Sequence, residues 1–92
     1  SANGYLEITI LITPKGNIHK SPIITFRGLP IYEKEEFTYG LEEEIEKTSR
    51  AFKLDNKQQE HNLIDAIKIS CRKFSKEKTG KKPFTNINLV KI

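Results

Sequence analysis

The sequence predicts an α+β domain, a three-stranded sheet with two antiparallel helices on one face, in the order β-β-α-α-β. Three observations predict it. Apolar residues alternate near both ends of the chain, and through the middle they recur every three or four positions. Proline and glycine also fall where the period changes. The 92 residues suffice for one domain and are too few for two, so residues 1–92 are read as a single unit. Strand-like sequence begins at Tyr5 and runs to Ile92. Such short ends are those expected of a domain cut from a larger protein.

Leu6, Ile8, Ile10 and Ile12 share one face of the first strand, and Tyr5, Glu7, Thr9 and Leu11 share the other. Thr13-Pro14-Lys15-Gly16-Asn17 carries turn chemistry, and a second strand follows over residues 22–27. Gly28 and Pro30 predict a bend or bulge near residues 27–31. The first helix is expected over residues 35–52, where Phe37, Leu41, Ile45, Thr48 and Phe52 form one stripe. Gly40 lies inside it, at a cost of about 1 kcal/mol relative to alanine. Asp55 with Gln58 resembles a capping box that opens a second helix. That helix carries Leu63, Ile67, Cys71 and Phe74 as its stripe, with Ile64 and Ile69 on the flanks, and Gly80 and Pro83 close it. Residues 84–92 read as a closing strand whose alternation Asn86 and Asn88 blur. Chain parity makes this strand parallel to the first and antiparallel to the second. The expected core packs Leu63, Ile67, Cys71 and Phe74 with Leu41, Ile45 and Phe52 against Leu6, Ile8 and Ile10.

Catalytic patterns are missing from the sequence. It has no glycine-rich phosphate loop, no Gly-x-Ser-x-Gly elbow and no Cys-x-x-Cys pair. His19 and His61 are far apart, and Asp55 and Asp65 make no ligand set with them. The reading is therefore of a non-catalytic module with no metal site or cofactor of its own. The single cysteine, Cys71, excludes an internal disulfide, falls on an apolar stripe, and points to a reduced, cytoplasmic setting. No apolar run approaches a membrane span, and no basic-then-apolar leader is present.

Charge is segregated along the chain. Residues 33–46 hold seven Glu and one Lys, net −6, whereas residues 68–82 hold seven Lys or Arg and one Glu, net +6. Three readings stay open. The blocks are solvated faces that suit the helix dipoles, or the basic one is a phosphate-tracking patch, or the pair steers a protein interface. The candidate nucleic-acid contacts are Arg72, Lys73, Lys76, Lys81 and Lys82. No aromatic cluster accompanies them in the sequence, which argues against reading of specific bases.

At Phe74-Ser75-Lys76-Glu77-Lys78-Thr79-Gly80-Lys81-Lys82-Pro83 the chain resembles the end of ribonuclease J, the bacterial metallo-β-lactamase/β-CASP ribonuclease. That family carries an aromatic-x-x-Glu-Lys-Thr-x-basic-basic-Pro segment before its final strand. Pro22-Ile23-Ile24-Thr25-Phe26-Arg27-Gly28-Leu29-Pro30-Ile31-Tyr32 is similar to its run of apolar residues, Arg-Gly and an extended aromatic-containing stretch. Pro30, Asn86 and Asn88 depart from the family pattern and mark a divergent member. The resemblance implies a division of labour. The zinc site lies in a preceding β-lactamase-like domain built on His-x-His-x-Asp-His, a motif not found in these residues. The C-terminal domain of that family supports subunit association and full activity on RNA. In this chain the net charge is only +4 and the basic block is offset by an acidic one, so association as a homo-oligomer is the expected main role and direct RNA contact secondary. A free-standing KH-like RNA-binding module is disfavoured, because residues 52–57 between the helices lack the glycines of a Gly-x-x-Gly loop. An oligomerisation domain of an unrelated enzyme is the third reading.

Overall fold

Strand β1 (Tyr5–Ile12) runs down the middle of the sheet. Strand β2 (Ile23–Arg27) pairs antiparallel on one side, and β3 (Phe84–Lys91) pairs parallel on the other. The computed structural model describes residues 3–92, and its order is β2-β1-β3, with the strand directions that chain parity required. Between the first two strands, Thr13 N–H donates to the Asn17 carbonyl at 2.8 Å, and Asn17 N–H donates to Thr13 Oγ1 at 3.1 Å. These bonds close the Pro-Gly turn. After β2, Gly28 at φ +70° makes the expected bend.

The alternation of β1 is complete. Leu6, Ile8, Ile10 and Ile12 are buried beneath the helices. Helix α1 (Lys34–Ser49) adds Phe37, Leu41 and Ile45 to the core, and α2 (Lys57–Thr79) adds Leu63, Ile67 and Cys71. In β3 the inward positions are Thr85, Ile87 and Leu89, so Asn86 and Asn88 fall on the opposite face and do not interrupt the pattern. Thr85 satisfies its buried hydroxyl by donating to the Pro83 carbonyl at 3.0 Å.

Three expectations are corrected. The first helix ends at Ser49 rather than at residue 52. The N–H groups of Ala51 and Phe52 donate three residues back, to Thr48 and Ser49, and tighten the chain out of the helix. The cap of α2 is Asn56, one residue beyond Asp55. Its Oδ1 accepts from Gln59 N–H at 2.8 Å, worth about 1 kcal/mol. The inward stripe of α2 continues from Cys71 to Ser75, and Phe74 is only partly buried because it turns sideways toward α1. Of the two flanking isoleucines, Ile64 packs on the core and Ile69 is 68% exposed.

Candidate interaction surfaces

His61 is exposed and His19 is half-buried in the β1–β2 connection. Among the described residues no group of three or more His, Cys, Asp or Glu comes together. The Cys71 thiol is fully enclosed, and burial, followed by the charge of Glu44, pushes its pKa up to about 12. The thiolate needed for nucleophilic or metal chemistry is then negligible at neutral pH.

The five basic candidates do not form one free patch. Arg72 Nε donates to the Pro83 carbonyl at 3.1 Å and ties α2 to the entry of β3. Lys76 Nζ donates to the Gly80 carbonyl at 3.2 Å, where a cation also suits the C-terminal end of the helix. Lys73 is exposed and lies within electrostatic reach of Glu44. Lys81 is half-buried in the turn, and Lys82 is exposed. The neighbouring Lys78 stands over the Phe74 ring at 5.6 Å, a cation–π contact.

A hydrogen bond joins the acidic and basic helices, with Ser70 Oγ donating to Glu44 Oε1 at 2.7 Å. Glu44 also pairs with Lys47 at 3.3 Å. The Ser70 bond first, and then Lys47 and Lys73, hold the Glu44 carboxyl below its ordinary 4.5 against the opposing effect of burial. The folded state therefore binds this proton less readily than the unfolded chain. The stabilisation is fully present above the unfolded value and is lost as pH falls through the folded one. We expect the difference in melting temperature between wild type and Glu44→Gln to hold constant near neutral pH and to shrink below about pH 4.5. Thermal melts across that range check it.

The face of the sheet away from the helices is uncovered, and it carries a cluster that the sequence did not reveal. Tyr5 and Phe84 stack with ring centroids 5.8 Å apart and planes 11° from parallel. They are cross-strand partners, and Arg27 pairs with Tyr5 from the other side, so Arg27, Tyr5 and Phe84 form one row across three strands. The next row is Thr25, Glu7 and Asn86. Asn86 and Asn88 each donate an amide hydrogen to Glu7 Oε2 at 3.2 Å. Gly4 and Gly28 flank the aromatic row, at φ +82° and +70°. A Cβ on Gly4 would sit 2.7 Å from Leu29 Cδ2. Gly4 and Gly28, whose backbones approach too closely for a side chain on either, line a concavity of about 490 Å³ together with Tyr5, Arg27 and Phe84.

The model of the ribonuclease J C-terminal domain family matches residues 1–91 of this chain. The chain belongs to that family. No curated protein sequence matches it. The segment that resembles ribonuclease J, residues 74–83, turns out to be the junction from α2 into β3. In this ribonuclease J C-terminal domain, Gly80 takes the left-handed cap at φ +78°. Thr79 Oγ1 donates to the Ser75 carbonyl at 2.8 Å and accepts from Lys81 N–H at 3.1 Å. Pro83 is buried. Lys81 and Lys82 thus sit on a turn whose geometry is fixed by these bonds, and Lys76 and Lys78 lie in the last turn of α2. Among the described residues no helix is long and apolar enough to cross a membrane.

Proposed function

We propose that this domain is the non-catalytic accessory part of a metal-dependent ribonuclease of the J type, and that it serves mainly by holding subunits of the parent together. The two-zinc phosphodiesterase chemistry then belongs to a β-lactamase-like domain elsewhere in the parent, in the cytoplasm, where a buried thiol such as Cys71 stays reduced. Among the described residues no group of three or more His, Cys, Asp or Glu comes together to hold such a metal.

The observation that carries this reading is a sheet with two unpaired edge strands beside a pair of oppositely charged helices. Phe84 N–H donates to the Gly4 carbonyl and Ile92 N–H to the Ile12 carbonyl. Even-numbered residues of β3 therefore face β1, and by alternation the backbone groups of Thr85, Ile87, Leu89 and Lys91 point outward along its edge. Such an edge, with a single charge at its far end, is a template for pairing unless something covers it. The −6 and +6 blocks lie largely on different helices. One copy can therefore present base to the acid of another.

The test compares the parent enzyme with and without residues 1–92, by sedimentation and by RNA affinity. We expect truncation to reduce subunit association, and salt near 1 M to weaken the association that remains in the intact enzyme by screening its charges. If truncation leaves the assembly intact and removes only RNA binding, or if Lys76, Lys81 and Lys82 to Ala does so alone, association is not the function. The basic turn is then the working surface.

A further inference from the structure

We propose that the open face of the sheet binds single-stranded RNA, with an unpaired base stacking on the Tyr5–Phe84 pair and Arg27 beside it for the phosphate. This goes beyond the association role. It rests on the ribonuclease reading only for the identity of the ligand.

An aromatic pair on the free face of a small sheet is the usual platform for unpaired bases, because every base offers a π-face and adjacent strands set the spacing. In this sheet the rings are already stacked on each other. Phe84 is 64% exposed although it sits on an otherwise well-paired strand. A base added to this pair extends an existing stack with no rearrangement of the sheet. Arg27 lies one strand away in the same row, and Lys82 is exposed two residues before Phe84. Gly4 and Gly28 complete the lining of the concavity beside Tyr5, Arg27 and Phe84. The adjoining row supplies Glu7 as an acceptor for base amino and imino hydrogens, and the two asparagine amides hold it in place. Its charge excludes an indiscriminate attraction for phosphate over the middle of the face, so the bases rather than the backbone lie there.

The size of the face decides between RNA and a protein partner. Two strands of eight residues and one of five, at about 4.8 Å between strands and about 3.3 Å per residue, cover roughly 330 Å². A stable subunit interface needs about 800 Å² per partner. The face is less than half that size, and polar along its centre, but it is ample for two or three nucleotides. The edges and charged helices remain available for association while RNA occupies the face.

The experiment uses this chain and an eight-nucleotide single-stranded RNA of mixed sequence at low salt. Ring proton resonances of Tyr5 and Phe84 should move upfield on titration. Affinity measured by anisotropy of the labelled RNA should fall roughly ten-fold or more in Phe84→Ala, the loss of one base–aromatic stack, and should be retained in Phe84→Tyr. Phe84 is exposed, so the alanine variant should keep the wild-type melting temperature. The ring shifts in the unmodified chain test the idea independently if it does not. Absence of RNA binding at low salt, shifts confined to residues 76–82, or unchanged affinity in Phe84→Ala each overturn the proposal. A fall in sedimenting mass on Phe84→Ala with RNA affinity unchanged overturns it in favour of a protein contact. Loss of subunit association on truncating the parent, by contrast, bears only on the association role.

Discussion

Alanine in place of Gly40 is expected to destabilise the domain by about 1–3 kcal/mol, although helix propensity alone favours it by about 1 kcal/mol. A Cβ at this position would enter the Phe74 ring, with Cε1 at 2.9 Å and Cε2 at 3.1 Å. The ring has no easy retreat. Phe37 lies against it at 5.6 Å with planes tilted by 40°, and the Lys78 ammonium stands 5.6 Å from its centroid. Gly40 thus lets α2 press an aromatic side chain onto the backbone of α1. The control is the same substitution where the ring is gone. Phe74→Ala should itself be costly, near the lower end of the 3–5 kcal/mol range because the ring is only partly buried. In that background Gly40→Ala should become stabilising, as propensity is then the larger effect. Urea unfolding of the two single variants and the double variant measures the coupling. A rise in stability on Gly40→Ala in the otherwise native chain would show that the ring does not dictate the glycine.

Gly40 also illustrates where the sequence stops being legible. Its cost to the helix is a local property and could be read from the chain. Its contact with Phe74 joins residues on two helices and could not. The same division holds elsewhere. Alternation in residues 5–12 and the four-residue spacing of Phe37, Leu41 and Ile45 are local patterns, so the strand and the helix face were predictable. Chain parity then fixed β3 as parallel to β1. Sequence and structure part at boundaries, where neighbouring residues compete for one role. Asn56 took the cap that Asp55 could equally have supplied, and tightened hydrogen bonds ended α1 before Phe52. Phe74 and Ser75 competed in the same way for the inward direction of α2, and the serine took it. Of the candidate surface, the charge blocks were visible as runs, but the Arg27, Tyr5 and Phe84 row was not. Its members come from three strands, and only the pairing register brings them together.

Truncating Ile8 to alanine should cost the fold about 2–5 kcal/mol. Ile8 lies on the central strand, fully buried, opposite Ile24 on β2 and Ile87 on β3. Both neighbours are fixed by ladder hydrogen bonds, and the helices close the space above. The cavity therefore cannot collapse, and the loss takes up a large share of the roughly 5–15 kcal/mol that a domain has in hand. Ile23 provides the comparison. It pairs with Thr9, the next residue along β1, but it points to the open face and is 57% exposed. Ile23→Ala should change stability by less than about 0.5 kcal/mol. Circular-dichroism melts of the two variants decide the matter, and equal losses would mean that both faces of the sheet contribute to the core. A large difference carries a consequence for function. The face that holds the fold together and the face that bears Tyr5, Phe84 and Arg27 are then energetically separate. Side chains on the open face are free to be set by what they bind, since the fold does not depend on them.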